Sequence, residues 1–220
     1  MRCCSRLLRV PPPPWLLVLV YAALAVAPLV LAAFSQERER GVIAELAVGA
    51  GLLGLAMLLM QFISSGRYEK VSGRAGIDTT MRFHQLTACG TLLLVLLHPL
   101  LFMLPDTLAD IGQLPGTLLM MAGVPPLRSG VVALLLLVAL VPMGMLRTRL
   151  PLRYEGWRVS HALLAVSAGV ASLHHALSVG GYSSAFALML FWALLGMAAL
   201  GSLAYVYLVK PVLLSSKAYR

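Results

Sequence analysis

The chain has 220 residues, 60% of them hydrophobic and 11% charged, with a net charge of +9. Soluble domains carry roughly 25% charged residues, so this composition, with a mean hydropathy of +0.90, excludes a soluble globular protein and indicates an integral membrane one. The positive charge is not a nucleic-acid signal, because the basic residues cluster in the connections between apolar stretches.

Crossing about 30 Å of hydrocarbon takes roughly 20 apolar residues. Six segments supply them, at about 15–34, 42–63, 83–104, 130–146, 157–178 and 184–209. The expected fold is therefore an all-α integral membrane bundle of six transmembrane helices. Prolines at 11–14, followed by Trp15, read as a stiff lead-in with an interfacial anchor. The basic start and Leu31-Ala32-Ala33 imitate a signal peptide, but an apolar run of about 20 residues exceeds a signal core, so the first segment reads as a retained helix.

A short turn at 36–41, whose charges cancel, leads to the second segment, where Glu45 is the only acid within a span. Residues 64–82 form a polar loop broken by Gly66, Gly73 and Gly76. The connection at 105–129 is the longest, with Pro105, Pro115, Pro125, Pro126, Asp106 and Asp110, and is expected to cap one mouth of the bundle. Gly180, Gly181, Tyr182, Ser183 and Ser184 make an uncharged turn before the last segment. The organisation is thus a lead-in at 1–14, a helical domain at 15–209 and a tail at 210–220, with no internal repeat beyond the histidines.

Charge sets the orientation. The lead-in (Arg2, Arg6, Arg9), the 64–82 loop (Arg67, Lys70, Arg74, Arg82), the fourth connection (Arg147, Arg149, Arg153, Arg158) and the tail (Lys210, Lys217, Arg220) hold 14 of the 17 Lys and Arg. By the positive-inside rule these regions, and both termini, are cytoplasmic. Of the three cysteines, Cys3 and Cys4 lie near a terminus and Cys89 lies within a span. No CxxC or CxxCH occurs, so neither a zinc ribbon nor covalent heme attachment is indicated.

All five histidines fall in the third and fifth segments: His84 and His98 fourteen residues apart, His161 followed by the doublet His174 and His175. Fourteen helical residues rise about 21 Å and fall about 40° short of four turns. His84 and His98 therefore point from nearly one face, at opposite depths. The two segments run parallel, so His84 pairs in depth with His161, and His98 with His174 or His175. Periodicity favours His175, and a bend near Gly169 would reverse that. Imidazole is a common axial ligand to heme iron, and ionisable residues inside a membrane usually mark function. Two hemes held between spans three and five account for the pattern. A proton or metal transporter, or histidines that only join helices, are the competing readings.

Gly73-Arg74-Ala75-Gly76-Ile77-Asp78, His84 and Leu97-His98-Pro99-Leu100 resemble the ferric reductase-like transmembrane domain of ferric reductases, NADPH oxidases and bacterial ferredoxin reductase-like flavocytochromes. Tyr154-Glu155-Gly156-Trp157-Arg158, His161 and the doublet are similar too, so the resemblance covers roughly residues 40–210. It implies a diheme b-type cytochrome of a bacterial inner membrane, with His84 and His161 on the inner heme b and His98 with His174 or His175 on the outer. It also implies electron flow from a cytoplasmic flavin to an outside acceptor such as ferric iron, oxygen or a quinone. Fused relatives carry FAD- and NAD(P)H-binding domains after the sixth helix, and these 220 residues have no room for them. FAD and NAD(P)H are then expected only through a separate cytoplasmic flavoprotein reductase or other electron donor, or through a missing C-terminal domain of a truncated or divided member. Membrane lipid is the other expected partner, and nucleic acid is not one. The chain is then an oxidoreductase component, or a stand-alone heme subunit like that of the periplasmic methionine sulfoxide reductase system.

Arg74, Arg82 and Arg158 are the candidates to pair with inner-heme propionates. Glu155 and Trp157 are candidates for anchoring the loop or meeting the donor, and Tyr182 and Arg128 for the outer mouth. Gly90, Ala165, Ala168 and Gly169 either leave space for porphyrin or simply pack helices.

Overall fold

The computed structural model describes residues 13–35, 41–64, 76–109, 112 and 114–210, the side chains of 105–109, 114 and 118 apart. Arg74, Asp110, the lead-in to residue 12, most of the 36–41 turn and 64–82 loop, and the tail from 211 lie outside the described residues. Among the described residues seven α-helices follow in order: α1 (Pro14–Ala33), α2 (Val42–Gln61), α3 (Ile77–Ala109), α4 (Leu114–Gly123), α5 (Pro125–Met145), α6 (Tyr154–Val179) and α7 (Phe186–Ala204), the last continued by a π-helical turn at Tyr205–Val209. No strand occurs among the described residues. All but α4 contribute a helix long and apolar enough to cross a membrane. The fold is all-α and multi-pass, with six candidate spans.

Two helices start five or more residues earlier than hydropathy predicts, and both starts have a local cause. α3 begins at Ile77 rather than near 83, and its 33 residues make about 50 Å of helix, longer than hydrocarbon is thick. Its first turn is polar but suited to a helix: Asp78 complements the dipole, and Thr80 Oγ1 donates to the Gly76 carbonyl at 2.9 Å. α5 begins at Pro125 rather than near 130 because prolines 125 and 126 fill its first positions, where a missing N–H costs nothing. Those prolines begin a helix instead of lengthening a loop. The long 105–129 connection is correspondingly largely helical, through the end of α3 and α4.

Lipid tails are as apolar as leucine, so helices associate here through close packing and a few polar links. α2 is the most buried span, and its buried Ala47, Ala50, Gly54 and Ala56 let neighbours approach. It forms an antiparallel hairpin with α3, and α5 forms a second with α6; these are the two most extensive helix contacts. On the other side of α2, Trp192 of α7 is fully buried in a cluster with Leu52, Leu55, Leu59 and Ala25. A second cluster, Leu58, Leu137, Leu140 and Ala168, joins the two hairpins, with Leu92 and Val95 of α3 packed on it. Gln61 Nε2 donates to Thr87 Oγ1 at 2.9 Å, linking α2 to α3. Ser202 Oγ donates to the Phe62 carbonyl at 2.7 Å, linking α7 to the end of α2.

The two ends of the bundle differ. Arg82, Arg147, Arg149, Arg153, Arg158 and Lys210 mark one, called the basic end below; α4 and the α6–α7 turn lie at the opposite end. Trp192→Ala should lower stability by about 3–5 kcal/mol, because the vacated space faces packed helices rather than lipid. Leu200, 62% exposed, should tolerate Ala within about 0.5 kcal/mol. Thermal unfolding of the two variants in detergent separates these outcomes.

Candidate functional site

α3 and α6 are each the second helix of an antiparallel hairpin, so they run in one direction and present their histidines at matching depths. His84 and His161 lie towards the basic end, while His98, His174 and His175 lie towards the opposite one.

At the opposite end the rings of His98 and His175 form an edge-on, T-shaped pair, with centroids 6.2 Å apart and planes at 79°. His98 Nδ1 lies 2.7 Å from the Ala47 carbonyl of α2, and His175 Nδ1 lies 3.2 Å from the Pro126 carbonyl of α5. A carbonyl only accepts, so each ring carries its proton on Nδ1 and keeps the Nε2 lone pair. One turn beyond each carbonyl stands a glycine against which the ring rests. A Cβ at Gly51 would come within 2.6 Å of His98 Nδ1, and one at Gly130 within 2.7 Å of His175 Nδ1. Both hairpins therefore seat a ring in the same way. His174 does not join this pair: it is exposed, and its Nδ1 lies 3.0 Å from Ser129 Oγ and 3.3 Å from Ser178 Oγ.

At the basic end His84 and His161 line one cavity of about 450 Å³, within the size range of cofactor sites. Leu58, Leu137, Leu140 and Ala165 line its apolar part, and Arg147, Tyr154, Trp157 and Arg158 line its polar part. Val206 and Tyr207 of the π-helical turn complete it. His84 Nδ1 is buried with no hydrogen-bond partner among the described residues. Arg158 reaches Glu155 at 3.3 Å through one terminal nitrogen, while its buried Nε is similarly unpartnered. Trp157 stacks on His161 at 5.2 Å.

The sequence matches, over residues 50–172, the family described as ferric reductase like transmembrane component. The chain belongs to that family. The matched stretch contains His84, His98 and His161 and ends just before the doublet. No curated protein and no solved structure matches the chain. Ferric reductase-like domains generally bind heme, and membership indicates membrane electron transfer.

The residues of this ferric reductase-like domain fit such a group. A metal-bound imidazole nitrogen lies roughly 2 Å from the metal and roughly 1 Å from its own ring centre. Two rings sharing one metal then have centres roughly 6 Å apart, the size of the His98–His175 separation. A porphyrin supplies four nitrogens and needs only two from the protein. A bare ion needs more, and among the described residues no group of three or more His, Cys, Asp or Glu side chains converges.

The remaining candidates divide. Arg158 lines the cavity, whereas Arg82 is exposed and does not. Ala165 lines it too, while Ala168 belongs to the interhairpin cluster and Gly169 and Gly90 lie against Phe62 and Met57. Arg128 donates from Nε and a terminal nitrogen to the Ala122 and Gly123 carbonyls, closing the end of α4. Buried Tyr182 hydrogen-bonds both carboxylate oxygens of Glu45 at 3.0 Å. Sequence reasoning missed Gly51, Gly130 and the carbonyls of Ala47 and Pro126. A glycine facing a histidine on the next helix was the available signal, but it becomes visible only once the hairpins are paired.

Gly51→Ala and Gly130→Ala should each lower heme content by displacing one ring, whereas Gly90→Ala should not, since a Cβ there meets only a flexible Met57 methyl at 3.4 Å. Pyridine hemochrome per mole of purified chain gives the comparison.

Proposed function

We propose that this chain is a diheme b-type cytochrome that passes electrons across the membrane, from a flavin- and nicotinamide-linked donor at the basic end to an acceptor at the other. The observation that carries the reading is the His98–His175 pair. These two imidazoles are 6.2 Å apart, each donating Nδ1–H to a helix carbonyl and keeping Nε2 free, on the same two helices that line a second histidine cavity. An Nδ1–H donated to a carbonyl is the usual support of a metal-bound imidazole: it fixes the tautomer and raises ligand basicity.

Heme supplies a one-electron couple between ferric and ferrous iron. His84 and His161 would hold the inner group and His98 and His175 the outer, leaving neither iron an open position, so contact with an acceptor is outer-sphere. Arg158, with its spare Nε, and Arg147, on the cavity rim, are the donors available to propionates at the basic end. The helix carbonyls of Ala47 and Pro126 hold the outer rings so that no reorientation accompanies electron transfer. On this reading the membrane is a bacterial inner membrane, and the positive-inside bias supports a cytoplasmic basic end with both termini on that side. The flavin and nicotinamide chemistry then belongs to a donor beyond these 220 residues.

The purified protein should be red, with a low-spin Soret band and two hemes per chain. His175→Ala should remove one heme and His174→Ala neither. The near-perpendicular rings of His98 and His175 should give one ferric heme a strongly anisotropic electron paramagnetic resonance signal, which His175→Ala abolishes. A colourless protein from heme-replete expression would sink the reading, and loss of heme in His174→Ala alone would move the outer ligand to His174.

A further inference from the structure

Trp157 does more than sit at a membrane edge. Its indole lies flat on the imidazole of His161, with centroids 5.2 Å apart and planes at 24°. The indole is held from two further directions. Its Nε1 donates to the Met143 carbonyl of α5 at 3.1 Å, and the Arg147 guanidinium lies 4.9 Å from its ring centre. Arg147 also covers Tyr154 at 4.8 Å, and the Tyr154 ring is nearly parallel to the indole at 6.3 Å. Residues 154, 157 and 161 recur at three and four along α6, so the three rings stand on one helical face and line the same cavity. An interfacial tryptophan directs its N–H to water and headgroups; this one donates its N–H to a neighbouring helix.

The ring plane of a histidine needs such support. Its second torsion joins an sp³ to an sp² carbon and has a broad, roughly two-fold energy profile, so neighbours must choose the plane. For His98 and His175 the choice is made by a carbonyl on Nδ1. Beside His161 stands a flat surface, and turning the ring upright would drive its edge into the indole.

We infer that Trp157 is the positioning residue that fixes the imidazole plane of His161 at the inner site, with the Met143 carbonyl and Arg147 as its supports. The inference rests on the reading of His161 as an axial ligand. The plane of an axial imidazole sets its overlap with the iron d orbitals, and therefore the g-tensor and midpoint potential of that heme.

The test uses the full-length, heme-loaded protein in detergent, with electron paramagnetic resonance of the ferric state and a redox titration. Trp157→Phe keeps a ring but loses the N–H to Met143, and should broaden the low-field signal of one heme. Trp157→Leu removes the flat surface and should shift that same signal further, together with its midpoint potential. The signal that disappears in His175→Ala should stay unchanged in both. If the leucine variant does not assemble, the phenylalanine variant decides alone. A membrane-anchoring role would alter yield or insertion and leave both signals in place, which would overturn the inference. A wild type without two low-spin signals would instead defeat the ligand reading beneath it.

Discussion

An imidazole N–H placed among hydrocarbon chains has no water to bond, and the arrangement of this bundle follows from how that N–H is satisfied. A helix carbonyl already accepts one hydrogen bond within its helix, and its second lone pair can take another only if a ring comes close to the backbone. Side chains on the same helix face prevent that approach, and glycine one turn further on permits it. Ala47 with Gly51, and Pro126 with Gly130, are two instances of one device. The tight α2–α3 and α5–α6 hairpins are what the device requires.

The chain consequently contains a structural echo that its sequence does not announce. His161 follows His84 by as many residues as His175 follows His98, and each hairpin presents its histidines from its second helix. The likeness stops at the basic end. There the ring of His161 meets Trp157, and Gly144 gives it looser clearance, a Cβ coming no nearer than 3.4 Å. One end holds two rings paired edge-on, and the other opens into a cavity lined by arginines and aromatics.

The spans were legible because lipid imposes a length and a composition that a single sequence displays. Helix starts were less so, since Ile77 and Pro125 lie in polar or proline-containing stretches where local capping chemistry, not hydropathy, decides. The depth pairing of the histidines followed from spacing and parallel direction. The choice within the doublet favoured His175 by phase, and the structure turns His175 towards His98 and His174 towards serines. Positions that depend on a partner helix were illegible. Which of the two readings of Gly169 holds, here packing against Phe62, and the use of Arg128 to close α4 both depend on neighbouring elements. The four-residue spacing of Trp157 and His161 on one helix, by contrast, was already in the sequence.

The cluster of Leu58, Leu137, Leu140 and Ala168 stands between the two histidine levels, roofing the cavity on one side. It offers no polar side chain for a proton to hop along, and the nearby Thr91 hydroxyl is committed to the Thr87 carbonyl. On the proposed reading, an electron crossing this layer would draw no proton from these side chains, and its transit would be electrogenic. With the basic end in a negative cytoplasm, as proposed, outward flow would be assisted by about 2.3 kcal/mol per 100 mV for a full crossing. Each electron so delivered would depolarise the membrane unless a cation left by another route. Turnover in a sealed vesicle would therefore be self-limiting, governed by the voltage it discharges as well as by its donor and acceptor.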